Sequence, residues 1–116
     1  MPKLGFEKRE RLLKHSEYKA VYQGRFCRNA FFILRFIPNN KRTNRVGFII
    51  KKKYFRLAVS RNRLRRLLRE AYRLHKPEIR GNFDIVIIAQ KANLPLNYKE
   101  AEKRLMSLFK KAGLCQ

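Results

Sequence analysis

One stretch of this sequence, residues 58–73, concentrates the side chains best suited to bind phosphate. It contains six arginines and one asparagine: Arg61, Asn62, Arg63, Arg65, Arg66, Arg69 and Arg73. A guanidinium is planar and can hold two phosphate oxygens at once, whereas a lysine ammonium supplies a point charge. The chemistry that this stretch favours is therefore anion binding.

The apolar residues of the same stretch predict the helix that positions these arginines. Leu64, Leu67, Leu68 and Ala71 follow the i, i+3, i+4, i+7 spacing of a helix face that packs on a core. Arginines at every fourth position share another face: Arg61, Arg65, Arg69 and Arg73. A basic face is often merely solvated, but Glu70 is the only acidic residue of the stretch. Because alternating-sign pairs are missing, a bound polyanion is the better interpretation.

No group of residues predicts a catalytic site in the chain itself. The carboxylates are scattered without a close-spaced motif: Glu7, Glu10, Glu17, Glu70, Glu78, Asp84, Glu100 and Glu102. Metal-dependent hydrolysis needs several converging carboxylates, so neither a metal site nor a general acid–base pair can be assigned. Asp84 is interpreted as a structural acceptor or ion-pair partner on a buried strand, and His15 and His75 as solvated side chains. If a reaction occurs, a partner is expected to supply the catalytic groups.

The charge of the chain predicts a polyanionic partner. Lys and Arg number 30 against 8 Asp and Glu, a formal net charge of +22 over 116 residues. Self-repulsion opposes compaction of so basic a surface, and a nucleic acid is the obvious counter-charge. Because no signal peptide is visible and the apolar runs are too short to span a bilayer, the cytoplasm is expected. Cys27 and Cys115 have neither disulfide-framework nor metal-ligand spacing, so two free thiols are predicted.

The rest of the pattern predicts a single α+β domain over residues 1–116, with residues 1–15 as a loosely packed basic arm. The order is helix, strand, strand, helix, strand, helix: residues 17–23, 30–38, 45–53, the arginine helix, 83–90 and a last helix capped by Asn97. Ser16 is the predicted N-cap of the first helix. The first two strands are expected to form an antiparallel hairpin, and the passage through the arginine helix makes its flanking strands parallel. The Ile/Val-rich last strand is expected at the sheet centre.

Tyr18 and Tyr22 lie at i, i+4 on the first predicted helix. Beside a basic groove, such aromatics could stack on unpaired bases, as in single-stranded RNA recognition. Aromatics at helical spacing more often belong to a core. Their hydroxyls favour a half-exposed position, so both interpretations stay open at this point.

The order of these motifs resembles the protein subunit of bacterial ribonuclease P. The family signature is an Arg-Asn-Arg helix that continues into further basic residues, as residues 61–69 do here. The short helix with two aromatics, an Arg-Val-Gly strand ending in Lys52-Lys53, the Ala58-Val59 pair and the final strand and helix follow in the family's order. The resemblance covers nearly the whole chain.

The resemblance implies a division of labour between protein and RNA. In that family the RNA subunit performs a magnesium-dependent hydrolysis that releases the 5′ leader of precursor tRNA, and Mg²⁺ is held mainly by the RNA. The protein binds the catalytic RNA and the leader, so ribonuclease P RNA and precursor tRNA are the expected partners. No membrane and no obligate protein partner are expected. The implied fold is an α/β sandwich with a left-handed strand-helix-strand crossover at the signature helix.

The resemblance also assigns binding residues. Those of the signature helix meet the catalytic RNA: Arg61, Asn62, Arg63, Arg65, Arg66 and Arg69. Lys52 and Lys53 match a basic pair at a strand end, whereas the leader cleft matches Tyr18, Tyr22, Ile33 and Arg35. Arg35 departs from the family because an aromatic can stand there, and a cation–π or phosphate contact replaces the stack. The segment 54–57 is longer than the usual glycine-containing turn, which leaves the helix start to be located.

Two other functions compete with the ribonuclease P subunit. A non-enzymatic RNA-binding protein, such as a ribosomal component, would share the charge and the small α+β body. A metal-dependent nuclease in its own right is the third hypothesis, and it is disfavoured by the scattered carboxylates.

Overall fold

The computed structural model describes residues 5–90 and 97–115. Three α-helices and four β-strands occur in the order α1 (His15–Val21), β1 (Arg25–Arg28), β2 (Phe32–Pro38), β3 (Arg45–Ile50), α2 (Ala58–His75), β4 (Phe83–Ala89) and α3 (Tyr98–Lys111). Short 3₁₀ turns cover Lys8–Glu10 and Lys76–Glu78. The α+β prediction of three helices on a mixed sheet is confirmed. The Leu94-Pro95-Leu96 lead-in to the last helix lies outside the described residues.

The four strands form one sheet in the order β1-β2-β4-β3. β4 pairs antiparallel with β2 and parallel with β3, which confirms the central position of β4 and the parallel crossover through α2. The predicted hairpin of β2 and β3 is wrong, because the apolar β4 lies between them and is buried along six of its seven residues. β1, an added edge strand paired with β2, was not predicted. The left hand of the crossover stays a prediction.

Helices cover both faces of the sheet. On one face, α2 and α3 pack over a core that includes Leu34, Ile85, Ile87, Leu64 and Leu105. On the other face, a smaller cluster joins Leu12, Val21, Val86 and Ile88 under α1. Alternate residues of β2 and β4 therefore face different helices, as the period of a strand requires.

The first helix begins one residue before the predicted cap. Lys14, not Ser16, is the N-cap residue, and its side chain makes no capping hydrogen bond. Instead the Glu17 carboxylate accepts hydrogen bonds from the backbone N–H groups of Leu13 and Lys14, both at 2.8 Å. The Ser16 prediction is wrong because a carboxylate inside the first turn satisfies the free N–H groups. These bonds, with Arg45, lower the pKa of Glu17.

Residues 5–14 pack more closely than the loose arm expected from the sequence. Leu12 is buried, and its N–H donates to the Val46 carbonyl at 3.1 Å. The ring of Phe6 meets that of Tyr72 edge-on, with centroids 5.8 Å apart. The Lys76 ammonium pairs with buried Glu10 at 2.6 Å. This segment therefore ties the two helical layers to β3.

A buried ion network fastens α1 to the sheet. The guanidinium of Arg45 donates to both oxygens of Asp84, at 2.8 and 2.6 Å, and to Glu17 at 2.6 Å. Asn39 completes the network by donating to Asp84 at 2.8 Å. The interpretation of Asp84 as a structural acceptor is confirmed. Because the network joins α1, β3 and β4, it fixes the height of α1 above the sheet.

Candidate nucleic-acid interface

The basic face of α2 is positioned by the helix's buried side. Leu64, Leu68, Ala71 and Tyr72 are buried, while Leu67 is half-buried. Four signature side chains are exposed: Asn62, Arg63, Arg66 and Arg69. Arg61, Arg65 and Arg73, which the four-residue spacing also places on the basic face, are only half-exposed. The most accessible charge therefore lies beside the arginine row.

Several of these arginines have partners within the protein, and the Arg69 guanidinium lies 5.5 Å from the ring centroid of Phe6. Arg61 Nη1 donates to the backbone carbonyls of Phe55 and Arg56, at 2.7 and 2.9 Å. Arg73 pairs with Glu70, and Arg65 makes a long contact of 3.4 Å to the Asn62 side chain. Arg61 therefore holds the loop that enters α2, and α2 begins at Ala58.

A second group of cations precedes α2. The strand β3 ends at Ile50. Lys52 and Lys53 therefore lie in the turn that follows β3, not at the end of the strand, and both side chains are exposed. Leu57 and Val59, 70 % and 76 % exposed, lie between these lysines and the arginine face. This exposed apolar pair was not predicted from the sequence, although Val59 falls off the buried stripe of the helix. We define the α2 surface as the exposed side chains of residues 51–69.

The other candidate surface is a cleft beside α1, built from two rows of residues that run across the sheet. Cross-strand pairing aligns one residue from each strand in the first row: Phe26, Arg35, Val86 and Gly47. The parallel second row contains Arg28, Ile33, Ile88 and Ile49. α1 packs over the first row, whereas Ile33 and Ile49 of the second row stay half-exposed. The second row is therefore the cleft floor.

The two tyrosines of α1 form the wall of the cleft in different ways. Tyr18 is half-buried and donates from its hydroxyl to the Leu12 carbonyl at 3.2 Å. It lies against Gly47, where a Cβ would come within 2.4 Å of the Tyr18 oxygen. Burial raises the pKa of Tyr18, and the nearby charge of Arg65 opposes that rise. Tyr22 is 40 % exposed, and the Arg35 guanidinium lies 4.7 Å from its ring centroid.

The structure thus brings the predicted cleft residues Tyr18, Tyr22, Ile33 and Arg35 to one face. Four further residues share that face and were not predicted from the sequence: Phe26, Arg28, Ile49 and Ile88. The period-2 pattern of β2 separates Ile33 and Arg35 from the buried Phe32 and Leu34. The period-2 pattern does not give the pairing register of the other strands, and that register determines where the unpredicted residues lie.

The titratable groups that could serve a metal or a nucleophile do not converge. In residues 5–90 and 97–115, no three His, Cys, Asp or Glu side chains form a cluster able to hold a metal ion. His75 is not simply solvated as predicted, because its ring lies between the carboxylates of Glu78 and Glu102, the latter at 2.8 Å. Cys27 and Cys115 are free thiols, as predicted. No helix in these same ranges has the length and apolarity needed to cross a membrane.

Together, the cationic α2 surface and the aromatic cleft define a small basic protein of the polyanion-binding class. Comparisons with known proteins narrow that class. A family model described as Ribonuclease P matches residues 6–113. The chain belongs to the ribonuclease P protein family.

Individual relatives agree in sequence and fold. The ribonuclease P protein component of Alkaliphilus metalliredigens is 38 % identical over 105 residues, which cover 90 % of this chain and 94 % of the relative. That of Desulforapulum autotrophicum is 39 % identical over 112 residues, 96 % of this chain and 95 % of the relative. The RNase P protein of Staphylococcus aureus superposes with a TM-score of 0.82 at 25 % identity, covering 92 % of this chain and 98 % of that one. The Thermotoga maritima protein gives 0.77 at 28 % identity, with 88 % and 96 % covered.

Family membership makes the chain a subunit of the endoribonuclease ribonuclease P, with a role in tRNA 5′ processing and the ribonuclease P RNA as its partner. The ribosomal alternative is not favoured.

Proposed function

We propose that the α2 surface binds the ribonuclease P RNA and that the cleft beside α1 binds the 5′ leader of precursor tRNA. The observation that supports this division is the different chemistry of the two surfaces. The α2 surface is rich in exposed guanidinium and ammonium groups, whereas the cleft has a half-exposed apolar floor, Ile33 and Ile49, beside the exposed Tyr22 ring. The former suits a folded RNA backbone, and the latter suits unpaired nucleotides.

On the α2 surface, Asn62, Arg63, Arg66 and Arg69 contact the RNA through their exposed side chains. One arginine guanidinium can bind two phosphate oxygens, and the asparagine amide can both donate and accept hydrogen bonds. Arg61 acts differently: its bonds to the Phe55 and Arg56 carbonyls make it a positioning residue for the loop. Lys52 and Lys53 extend the positive surface toward the cleft.

In the cleft, the leader bases lie on the apolar floor and against the tyrosines of α1, while Arg35 offers a guanidinium to a leader phosphate. Every base has a π face, so such a site tolerates many leader sequences. Burial of unpaired bases against Ile33 and Ile49 removes apolar surface from water. Precursor tRNA is therefore bound more tightly than mature tRNA, which lacks a leader.

The hydrolysis itself belongs to the RNA subunit in this proposal. Mg²⁺, held mainly by the RNA, would supply Lewis-acid catalysis of that hydrolysis. The described protein residues do not fit a metal-binding role, since no three of their His, Cys, Asp or Glu side chains form a group able to hold a metal ion. The protein's cations lower the electrostatic cost of bringing two RNAs together, so less Mg²⁺ is needed. We place this assembly in the cytoplasm, with no obligate protein partner.

Reconstitution tests both halves of the proposal. Adding the chain to a bacterial ribonuclease P RNA at low Mg²⁺ should raise specific 5′ cleavage of precursor tRNA, and the chain alone should cleave nothing. Tyr22→Ala should weaken precursor binding by about 1–3 kcal/mol, the worth of one base–aromatic stack, and leave binding of the RNA subunit unchanged. Arg66→Ala is the matched opposite variant: it should weaken RNA-subunit binding and preserve the ratio of precursor to mature tRNA affinity. Equal loss of precursor and mature tRNA binding in Tyr22→Ala would contradict the cleft assignment.

A further inference from the structure

A stacked group of side chains continues the cleft beyond α1 to the free edge of the sheet. Phe26 and Arg35 are direct cross-strand partners in β1 and β2. The guanidinium carbon of Arg35 lies 4.7 Å from the ring centroid of Tyr22 and 5.3 Å from that of Phe26. Arg35 is thus held between two rings, and its position is fixed by sheet register.

The Arg35 side chain makes no ion pair or hydrogen bond with any protein group in residues 5–90 and 97–115, and its buried Nε has no acceptor. Ring stacking covers the Nε and the faces of the guanidinium without satisfying its N–H groups. In contrast, Arg45 on β3 donates to two carboxylates. A fixed guanidinium without a protein anion is pre-organised for an external one, and phosphate matches its planar donors.

Phe26 is the exposed end of the stack. It is 60 % exposed on a strand that pairs on one side only, while its neighbour Cys27 points to the core on the opposite face of the sheet. Arg28 lies two residues farther along the same face and is also exposed. An open aromatic ring stacked on one guanidinium, with a second arginine on the same face of the strand, combines the stacking and charge that single-stranded nucleic acids require.

We propose that this β1 edge, defined by Phe26, Arg28 and Arg35, is a second leader subsite: a base stacks on Phe26 while Arg35 and Arg28 hold the adjoining phosphates. The inference rests on the proposed leader cleft and adds a subsite to it.

The fold also orders the two subsites along the leader. Tyr18 lies on Gly47 of β3, and β3 leads within a few residues into the α2 surface, where the catalytic RNA is bound. Tyr22 and then Phe26 lie successively farther across the sheet, over β2 and β1. The β1 edge therefore binds nucleotides that are more distant from the cleavage site than those beside Tyr18.

The experiment measures the affinity of reconstituted holoenzyme for precursor tRNAs whose single-stranded leaders are lengthened one nucleotide at a time. With the wild-type chain, affinity should rise in steps until the β1 edge is filled. Phe26→Ala should abolish the last steps, lowering affinity for long leaders about 5-fold or more, and leave short leaders unaffected. Leu74→Ala, which trims an exposed apolar residue of α2, is the control and should bind every leader like the wild type.

A fluorescent base places the contact directly. With 2-aminopurine introduced at each leader position in turn, Phe26→Ala should restore fluorescence only at a distal position, and Tyr22→Ala at a more proximal one. Equal weakening for all leader lengths, or no change at any length, would overturn the β1-edge proposal. If the affinity of the wild-type holoenzyme did not depend on the leader at all, the proposed leader cleft itself would be contradicted. Phe26→Leu, which keeps an apolar side chain but removes the ring, should behave like Phe26→Ala.

Discussion

The α2 surface and the cleft beside α1 are built from opposite kinds of sequence information. The α2 surface comes from one continuous segment whose helical period separates Leu64 and Leu68 from Arg63 and Arg66. The cleft comes from all four strands and α1, which meet only through the register of the sheet. A local surface can be changed one charge at a time, whereas a non-local one depends on contacts that hold its parts at a fixed distance.

The largest expected difference between the two surfaces is their response to salt. If the chain contacts about 6–10 phosphates, its affinity for the RNA subunit should fall by about 10³–10⁵ between roughly 50 and 200 mM salt, by analogy with duplex DNA. The ratio of precursor to mature tRNA affinity should change less, because the proposed leader cleft has few cations, Arg28 and Arg35, beside its aromatic and apolar side chains. Titrations at several salt concentrations measure both quantities. A flat response of RNA-subunit binding would contradict the basic-surface mechanism.

A substitution in the buried ion network weakens the attachment of α1 to the sheet, on which the cleft depends. Asp84→Ala removes two hydrogen bonds from Arg45 and leaves its guanidinium partly buried with Glu17 alone. We expect a loss of about 3 kcal/mol in the free energy of unfolding, as when one partner of a buried pair is removed. Denaturant unfolding measures it.

Glu100→Ala is the control for that variant, since Glu100 pairs with Arg104 at 3.5 Å in a more exposed position. It should cost less than about 1 kcal/mol. Equal losses in the two variants would mean that the Arg45 network does not anchor α1.

A subtler change moves one wall of the cleft without removing any side chain. In Gly47→Ala the new Cβ would lie 2.4 Å from the Tyr18 oxygen, so the tyrosine ring must shift. We expect precursor affinity to fall by about 1–3 kcal/mol, the range for one lost stack, with RNA-subunit binding retained. Gly5→Ala, where a Cβ meets nothing within 4 Å, should bind like the wild type. Comparable loss of RNA-subunit binding would indicate that the two surfaces are coupled.

The smallest expected effect concerns His75, which touches neither surface. Burial alone would lower the pKa of His75, but hydrogen bonds with Glu102 and Glu78 outweigh it and raise that pKa above its ordinary 6.5. Protonation is thus favoured in the folded state, so this stabilisation is present below pH 6.5 and is lost as the pH rises through the raised pKa. His75→Gln should flatten the pH dependence of unfolding in that window. Neither the affinity for the RNA subunit nor the ratio of precursor to mature tRNA affinity should change in this variant. That result would distinguish a charge that affects stability from charges that affect RNA binding.

The same contrast explains how much could be predicted from the sequence. The presence of α2 and the start of β4 at Phe83 agree with the patterning, because each element has a strong local period or apolar run. The start of α2 at Ala58, which the sequence left open, needed the structure. The β2–β3 hairpin prediction failed because the short loop at residues 39–44 suggests neighbouring strands, while the burial of β4 decides the strand order. Within the site, an arginine-rich helix face was predicted, but the exposure of Arg63 and Arg66 beside the predicted row was not. The partners of Arg61 and the alignment of Phe26 with Arg35 also needed tertiary structure.

The strand order also sets the sequence of assembly. Ile33 and Ile49 of the cleft floor lie on either side of Ile88, which belongs to β4, the last strand in the order of the described residues. During synthesis, α2 leaves the ribosome before β4 does, so an amphipathic helix with its arginines precedes a complete sheet. Long-range pairings of this kind are slow to form because the intervening loop must first be closed. The cleft is therefore a late product of folding, and an RNA that engages α2 early can meet the chain before the cleft exists.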